Sequence, residues 1–138
     1  MHSETKLTVR YAETDQMGIA HHSNYPIWFE AGRTYFLKEM GMSYGDIEKS
    51  GILLPLCELH LKFISPAKYE DEIVVRTKVA SVSRVRVIFS YQVLHDASGQ
   101  LLAAGETVHA WTDKGLKPVN AQKAIPSVYS ALCKAMQE

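Results

Sequence analysis

The chain has 138 residues, 46% hydrophobic and 22% charged, a balance that fits one globular domain with a substantial core and excludes a disordered segment. Fifteen basic residues offset fifteen acidic ones, which argues against a nucleic-acid binder and leaves room only for a local basic patch. The cysteines, Cys57 and Cys133, form no CxxC pair and are expected to be buried thiols in a reducing compartment. No segment approaches bilayer-spanning length and no secretory signal is visible, so membrane insertion is not expected and a cytoplasmic location is.

Residues Thr5 to Tyr11 mix apolar and polar positions as a short strand does, and end at the polar loop Glu13-Thr14-Asp15. Ser23 or Asn24 can then cap a helix, with Pro26 in a first turn where its missing N–H does no harm. That helix is expected to run to about Met40 and stop at Gly41, a suitable left-handed cap. Ile27, Trp28, Phe29, Ala31, Tyr35, Phe36, Leu37 and Met40 spread over far more than one stripe, which predicts burial on most sides. Gly32 would let another backbone come close, and Glu30 and Arg33 are spaced for an intrahelical ion pair.

Cys57, Leu59, Leu61 and Phe63 alternate with Glu58, His60 and Lys62 in a clean period-two strand. A second strand is expected from about Glu72 to Ala80, a third from Arg84 to His95 and a fourth from Leu101 to Thr112, with a hairpin turn at Asp96-Ala97-Ser98-Gly99. Pro126 opens a last helix, Val128 to Met136. The expected fold class is α+β: a β-α-β-β-β-β-α order in which hairpin-linked antiparallel strands curl around one long central helix.

The chemistry concentrates in Tyr11-x-x-Thr14-Asp15-x-x-Gly18-Ile19-x-x-His22-x-x-Tyr25. It sets a carboxylate in a loop beside the positive end of the apolar helix, close to N–H groups able to bind a developing oxyanion. An aspartate is ordinarily ionised at neutral pH, so Asp15 could attack an acyl carbon or deprotonate a water that does so. Adjacent histidines His21 and His22 lack the spacing of a metal site, and no metal is expected.

This motif, with the helix and strands behind it, resembles the hotdog-fold acyl-CoA thioesterases, and among them the 4-hydroxybenzoyl-CoA thioesterase family, from about Thr5 to Ala135. The resemblance implies a single hotdog domain over residues 1–138, hydrolysis of an acyl-CoA to a carboxylic acid and free CoA, and no cofactor. It implies Asp15 as the catalytic carboxylate and the His22 backbone N–H as the group polarising the thioester carbonyl. His22, where a tyrosine stands in the hydroxybenzoyl enzyme, looks more like the branch linked to the Tol-Pal system. Glu13 departs from the aspartate often found there, and Met17 from a small residue.

Further expectations from the resemblance concern binding. Gly18 serves backbone conformation or close approach, Tyr25 borders the site as packing or as a substrate contact, and Ser65 and Pro66 line a pantetheine channel or pack the strand end. Ser83, Arg84 and Arg86 are candidates for the CoA phosphates, guanidinium groups being suited to them; a solvated strand edge is the plain alternative. Partners are expected to be the acyl-CoA and further copies of the chain, as a homodimer or homotetramer with joined sheets. Two rivals remain: a hydratase or dehydratase of acyl thioesters, and a non-catalytic acyl-thioester binder.

Overall fold

The most apolar stretch of the chain becomes the helix on which the other elements are hung. In the computed structural model, which describes residues Met1–Glu138, this helix, α1, spans Asn24–Glu39. Before it come β1 (Ser3–Thr8) and a 3-10 turn at Tyr11–Glu13; after it come α2 (Tyr44–Lys49), β2 (Leu56–Phe63), β3 (Glu72–Val82), β4 (Arg86–His95), β5 (Leu101–Ala110), α3 (Ala121–Ala124) and α4 (Pro126–Gln137). The strands make one five-stranded antiparallel sheet in the order β1-β3-β4-β5-β2.

The sheet face toward α1 is built by period-two alternation of β-branched and aromatic residues, which suit a pleated, half-buried surface. Ile73, Val75, Thr77 and Val79 of β3 and Val87, Phe89, Tyr91 and Val93 of β4 are all buried. On α1, Phe29 lies flat on Tyr91, with ring centroids 4.2 Å apart and planes 4° from parallel. Phe36 meets Phe89 edge-on at 6.1 Å. Val128, Leu132 and Ala135 of α4 join the same core.

Gly32 works differently from the expectation. A Cβ there would sit 2.5 Å from Thr77 Oγ1 and 2.9 Å from Val75 Cγ1, so the close neighbour is the side-chain face of β3 rather than a backbone. Gly105 of β5 is confined likewise: its Cβ would lie 2.5 Å from the His60 carbonyl oxygen and 2.7 Å from the Phe29 ring.

Other expectations are corrected. Helix α1 is not buried on most sides, because the sheet covers one side only; Ile27 stays 59% and Tyr35 42% exposed. Ser23 occupies the cap position but its hydroxyl is bonded to His21 Nδ1 at 2.8 Å, so no side chain caps the helix. Glu30 and Arg33 form no ion pair, because Arg33 turns inward and its Nη1 donates to Tyr91 Oη at 3.3 Å. Strand β2 is not linked to β3 by a hairpin; it crosses to pair with β5 at the sheet's far edge. Nothing covers it there, so Leu56, Leu59 and Phe63 remain 50%, 39% and 52% exposed. Cys57, on this strand, is an exposed free thiol instead of a buried one, and Cys133 is free and half-buried. Tyr11 begins the 3-10 turn, not the end of β1. Two short helices were not expected: α2, capped by Ser43 Oγ accepting the Asp46 N–H, and α3, capped by Asn120 Oδ1 accepting the Gln122 N–H.

A chain of buried polar groups crosses the core from α1. His109 Nδ1 lies 3.1 Å from the Leu54 carbonyl, which can only accept, so Nδ1 carries the proton and Nε2 is the acceptor. That orders the rest: Thr107 O–H donates to Nε2 (2.9 Å), Tyr91 O–H to Thr107 Oγ1 (2.6 Å), and Arg33 to Tyr91. Burial pushes the His109 imidazole down to about 4, opposed by the Leu54 carbonyl and helped by the Arg33 charge.

Two outcomes are expected. Gly32→Ala should cost about 1–3 kcal/mol by forcing β3 side chains aside, read as a lower urea midpoint at unchanged slope. The folded His109 takes up its proton only near pH 4, the unfolded one near 6.5. The folded value is the lower, so stability is full above 6.5 and falls as pH drops toward 4, by up to roughly 3 kcal/mol. Urea titrations between pH 7 and 4.5 should show this loss in the wild type and its absence in His109→Gln.

Candidate active site

The loop between the 3-10 turn and α1 folds back on itself, with Thr14 and Ala20 paired across it and Ile19 bridged to Lys68. Inside this small hairpin the Asp15 N–H donates to Ile19 O at 3.0 Å, and the Gly18 N–H to Asp15 O at 2.9 Å. Gly18 has φ +79°, a left-handed conformation that a side chain would strain. The Asp15 side chain accepts the Met17 N–H through Oδ1 at 2.9 Å. Only that oxygen is held by the chain; Oδ2 is left free.

Asp15 opens on a cleft of about 310 Å³ at the start of α1, which His22, Tyr25, Ser65 and Pro66 also line. Five residues singled out from the sequence therefore meet here. Gly18 shapes the loop and lines no part of the cleft. Sequence reasoning missed Phe63 and Ile64, and did not assign Ile19 and Ala20, which complete the wall with Met17. The signal for Phe63 was its place at the end of an alternating strand, but only the fold brings that end to α1. Phe63 stands edge-on to Tyr25 at 5.0 Å, and Tyr25 lies 4.6 Å from Trp28. Burial raises the Tyr25 phenol above its ordinary range, with the Ala67 backbone pulling the other way.

The helix start is poor in internal partners. The Tyr25 N–H reaches back to His22 O at 3.3 Å and the Asn24 N–H to His21 O at 3.0 Å, while the His22 N–H makes no hydrogen bond within the chain. The His22 side chain is exposed. Asp15, with one carboxylate oxygen unbonded, and His22, whose N–H has no partner within the chain, thus line one cleft at the positive end of a helix, residues of the kind able to polarise a carbonyl and deliver a base or nucleophile to it.

The family model described as the thioesterase-like superfamily matches residues 9–132 of this chain. The chain belongs to that superfamily. The Bacillus subtilis (strain 168) protein named "Putative acyl-CoA thioesterase YneP" is 37% identical over 134 residues, covering 96% of each chain. The structure of DHNA-CoA thioesterase from Staphylococcus aureus is 32% identical, with a TM-score of 0.93, covering 99% of this chain and 91% of that one. A hypothetical protein from Thermus thermophilus is 38% identical, with a TM-score of 0.88 and 98% of each chain covered. The five-stranded sheet with α1 seated on one face is a hotdog fold.

In this thioesterase-like chain the expected phosphate group lies outside the Asp15 cleft. Ser83 Oγ accepts the N–H of Arg86 at 3.0 Å and of Val85 at 3.3 Å, a turn-forming role between β3 and β4. Arg86 leans toward Glu58, at 3.8 Å, and the exposed Arg84 gives its carbonyl to the Ala121 N–H at 2.8 Å. The His21 and His22 rings lie 4.0 Å apart, tilted by 33°, and no group of three or more His, Cys, Asp or Glu is disposed to hold a metal. No helix is long and apolar enough to cross a membrane.

Proposed function

We propose that the protein is an acyl-CoA thioesterase in which Asp15 supplies the base or nucleophile and the His22 backbone N–H holds the carbonyl oxygen. The observation that carries this reading is that Asp15, with Oδ2 unbonded, and His22, whose N–H has no partner in the chain, line one cleft. As the carbonyl carbon becomes tetrahedral its oxygen gains negative charge, and the His22 N–H and the helix end stabilise it there more than in the ground state. By one route Asp15 takes a proton from water as the water oxygen bonds to carbon; the C–S bond breaks and the proton passes to the departing thiolate. By the other, Asp15 attacks the carbon, the thiolate leaves, and water hydrolyses the resulting anhydride. A thiolate leaves readily, so neither route needs a strong acid.

Tyr25, Phe63, Ile19 and Ile64 make an apolar and partly aromatic wall, which favours a compact apolar or aromatic acyl group, as does the name of the Staphylococcus aureus enzyme, a DHNA-CoA thioesterase. Ser65 and Pro66 are proposed for the pantetheine arm and Arg84, with Ser83 and Arg86, for the phosphates that the length of CoA carries beyond the cleft. The finer resemblance, to the Tol-Pal-linked branch of the 4-hydroxybenzoyl-CoA thioesterases, rests on His22 alone. A cytoplasmic setting is proposed on the two free thiols.

A homodimer is proposed through β2. It is an uncovered edge strand with exposed leucines, a surface that natural proteins pair or protect.

A panel of acyl-CoAs with free-thiol detection tests the activity. Asp15→Asn should lower kcat about 10²-fold or more while leaving melting temperature and oligomer unchanged, since it removes charge and little volume. Near-wild-type thiol release by that variant would remove Asp15 from the reaction; binding of acyl-CoA with no thiol release by the wild type would favour the non-catalytic reading. Light scattering should give a wild-type mass at least twice the chain's 15.5 kDa, and Leu59→Lys should return it to one chain. A wild-type monomer would end the β2 proposal.

A further inference from the structure

We propose that Glu13 is a positioning residue for Asp15, clasping the catalytic loop to the flank of α1 through its buried carboxylate; the inference rests on the thioesterase reading of the Asp15 cleft. Glu13 is only 5% exposed, an unusual fate for a carboxylate in a loop. Its Oε1 accepts the Arg10 N–H at 2.8 Å, with Arg10 Nε 3.5 Å away, and its Oε2 accepts the Trp28 indole N–H at 3.0 Å. The backbone of the same residue holds the other end of the loop. Its carbonyl accepts the His21 N–H and the Asn24 side-chain amide, each at 2.8 Å.

Glu13 therefore joins three things whose spacing decides the geometry of the cleft. It fixes the strand exit at Arg10, the residue preceding the proposed oxyanion donor, and the first full turn of the helix at Trp28. Asp15 lies between these anchors and has only the Met17 N–H on its own side chain. Glu13 does not line the cleft, so its contribution goes through the placement of Asp15 against His22. Burial by itself would raise the Glu13 carboxyl; the Arg10 N–H, the Trp28 indole and the Arg10 guanidinium outweigh it and hold the group below its ordinary range. The clasp is thus a charge-assisted one. Reacting groups displaced by a fraction of an ångström lose rate before they lose binding, which separates this role from a merely stabilising contact.

Glu13→Gln keeps the shape but turns an amide N–H₂ toward either Arg10 or Trp28, both donors. Trp28→Phe removes the indole donor and keeps an aromatic ring beside Tyr25. Each should lower kcat about tenfold with KM for acyl-CoA within about twofold. Because they break one shared bond, the double variant should be little worse than the poorer single one. Amide exchange over residues 14–22 should quicken in both variants while β3, β4 and β5 keep their protection. Unchanged kcat with a lowered melting temperature would reduce Glu13 to a structural brace and overturn the inference, as would additive losses in the double variant. Trp28→Phe reads the same bond if the Glu13 variant does not fold. A wild type without acyl-CoA turnover sinks the functional reading instead, and unaltered exchange over 14–22 then sinks the clasp separately.

Discussion

The seat of α1 is a single row of residues running across the sheet. Register aligns Ser3 with Thr77, Thr77 with Tyr91, Tyr91 with Gly105 and Gly105 with Leu61. Thr77 fills the notch left by Gly32, Tyr91 takes the flat face of Phe29, and Gly105 leaves room for the far edge of that ring. Aromatic rings of this size dominate the burial energy of a small core, but here the two missing side chains decide where the rings can lie. A slip of one residue in β5 would bring an outward-facing neighbour, Ala104 or Glu106, against Phe29 and turn Gly105 to the outside. Register, helix seat and the direction of the helix N-terminus are therefore one constraint, and the cleft inherits its place from it.

Tyr91 serves this row twice. Its ring is packed and its hydroxyl takes the Arg33 guanidinium, passing the order on through Thr107 and His109 to the Leu54 carbonyl. Arg33 is engaged here and not with Glu30. The chain of donors has one direction throughout, set by a carbonyl that can only accept. It ties α1 to the segment that leads into β2, the strand at the opposite edge from β1.

Much of this was legible in the sequence, for reasons that are local. The alternation in β3, β4 and β5, the Gly99 turn and the Gly41 stop each depend on residues close in the chain, and the Asp15 loop could be placed because a long apolar helix follows it. Asp15, His22 and Tyr25 stand in that one stretch, whereas Ser65 and Pro66 were expected from the family resemblance alone. What escaped needed partners distant in sequence. The alternation of β2 is real, yet it cannot say that the strand crosses to β5 and that its apolar side goes uncovered. The same gap hid Phe63 and Ile64 from the site and exposed Cys57. Gly32 and Glu13 stood out as irregular residues, but only the positions of Thr77 and Trp28 give them their physical meaning.

The exposed edge and the cleft are the same problem seen from two sides. Phe63 and Ile64, at the end of β2, form one wall of the cleft and are 52% and 49% exposed, and Met17 opposite them is 77% exposed. A pocket this open keeps water near Asp15 and His22, and in the proposed reaction an N–H donor is worth far less to a developing oxyanion in that dielectric than in a dry site. In the proposed homodimer, a second chain paired along β2 would extend the sheet past its bare edge and bring protein up to that wall in one step. The apolar side chains that destabilise the isolated chain's surface are then the ones that would dry its site, so assembly and catalytic competence would rise and fall together.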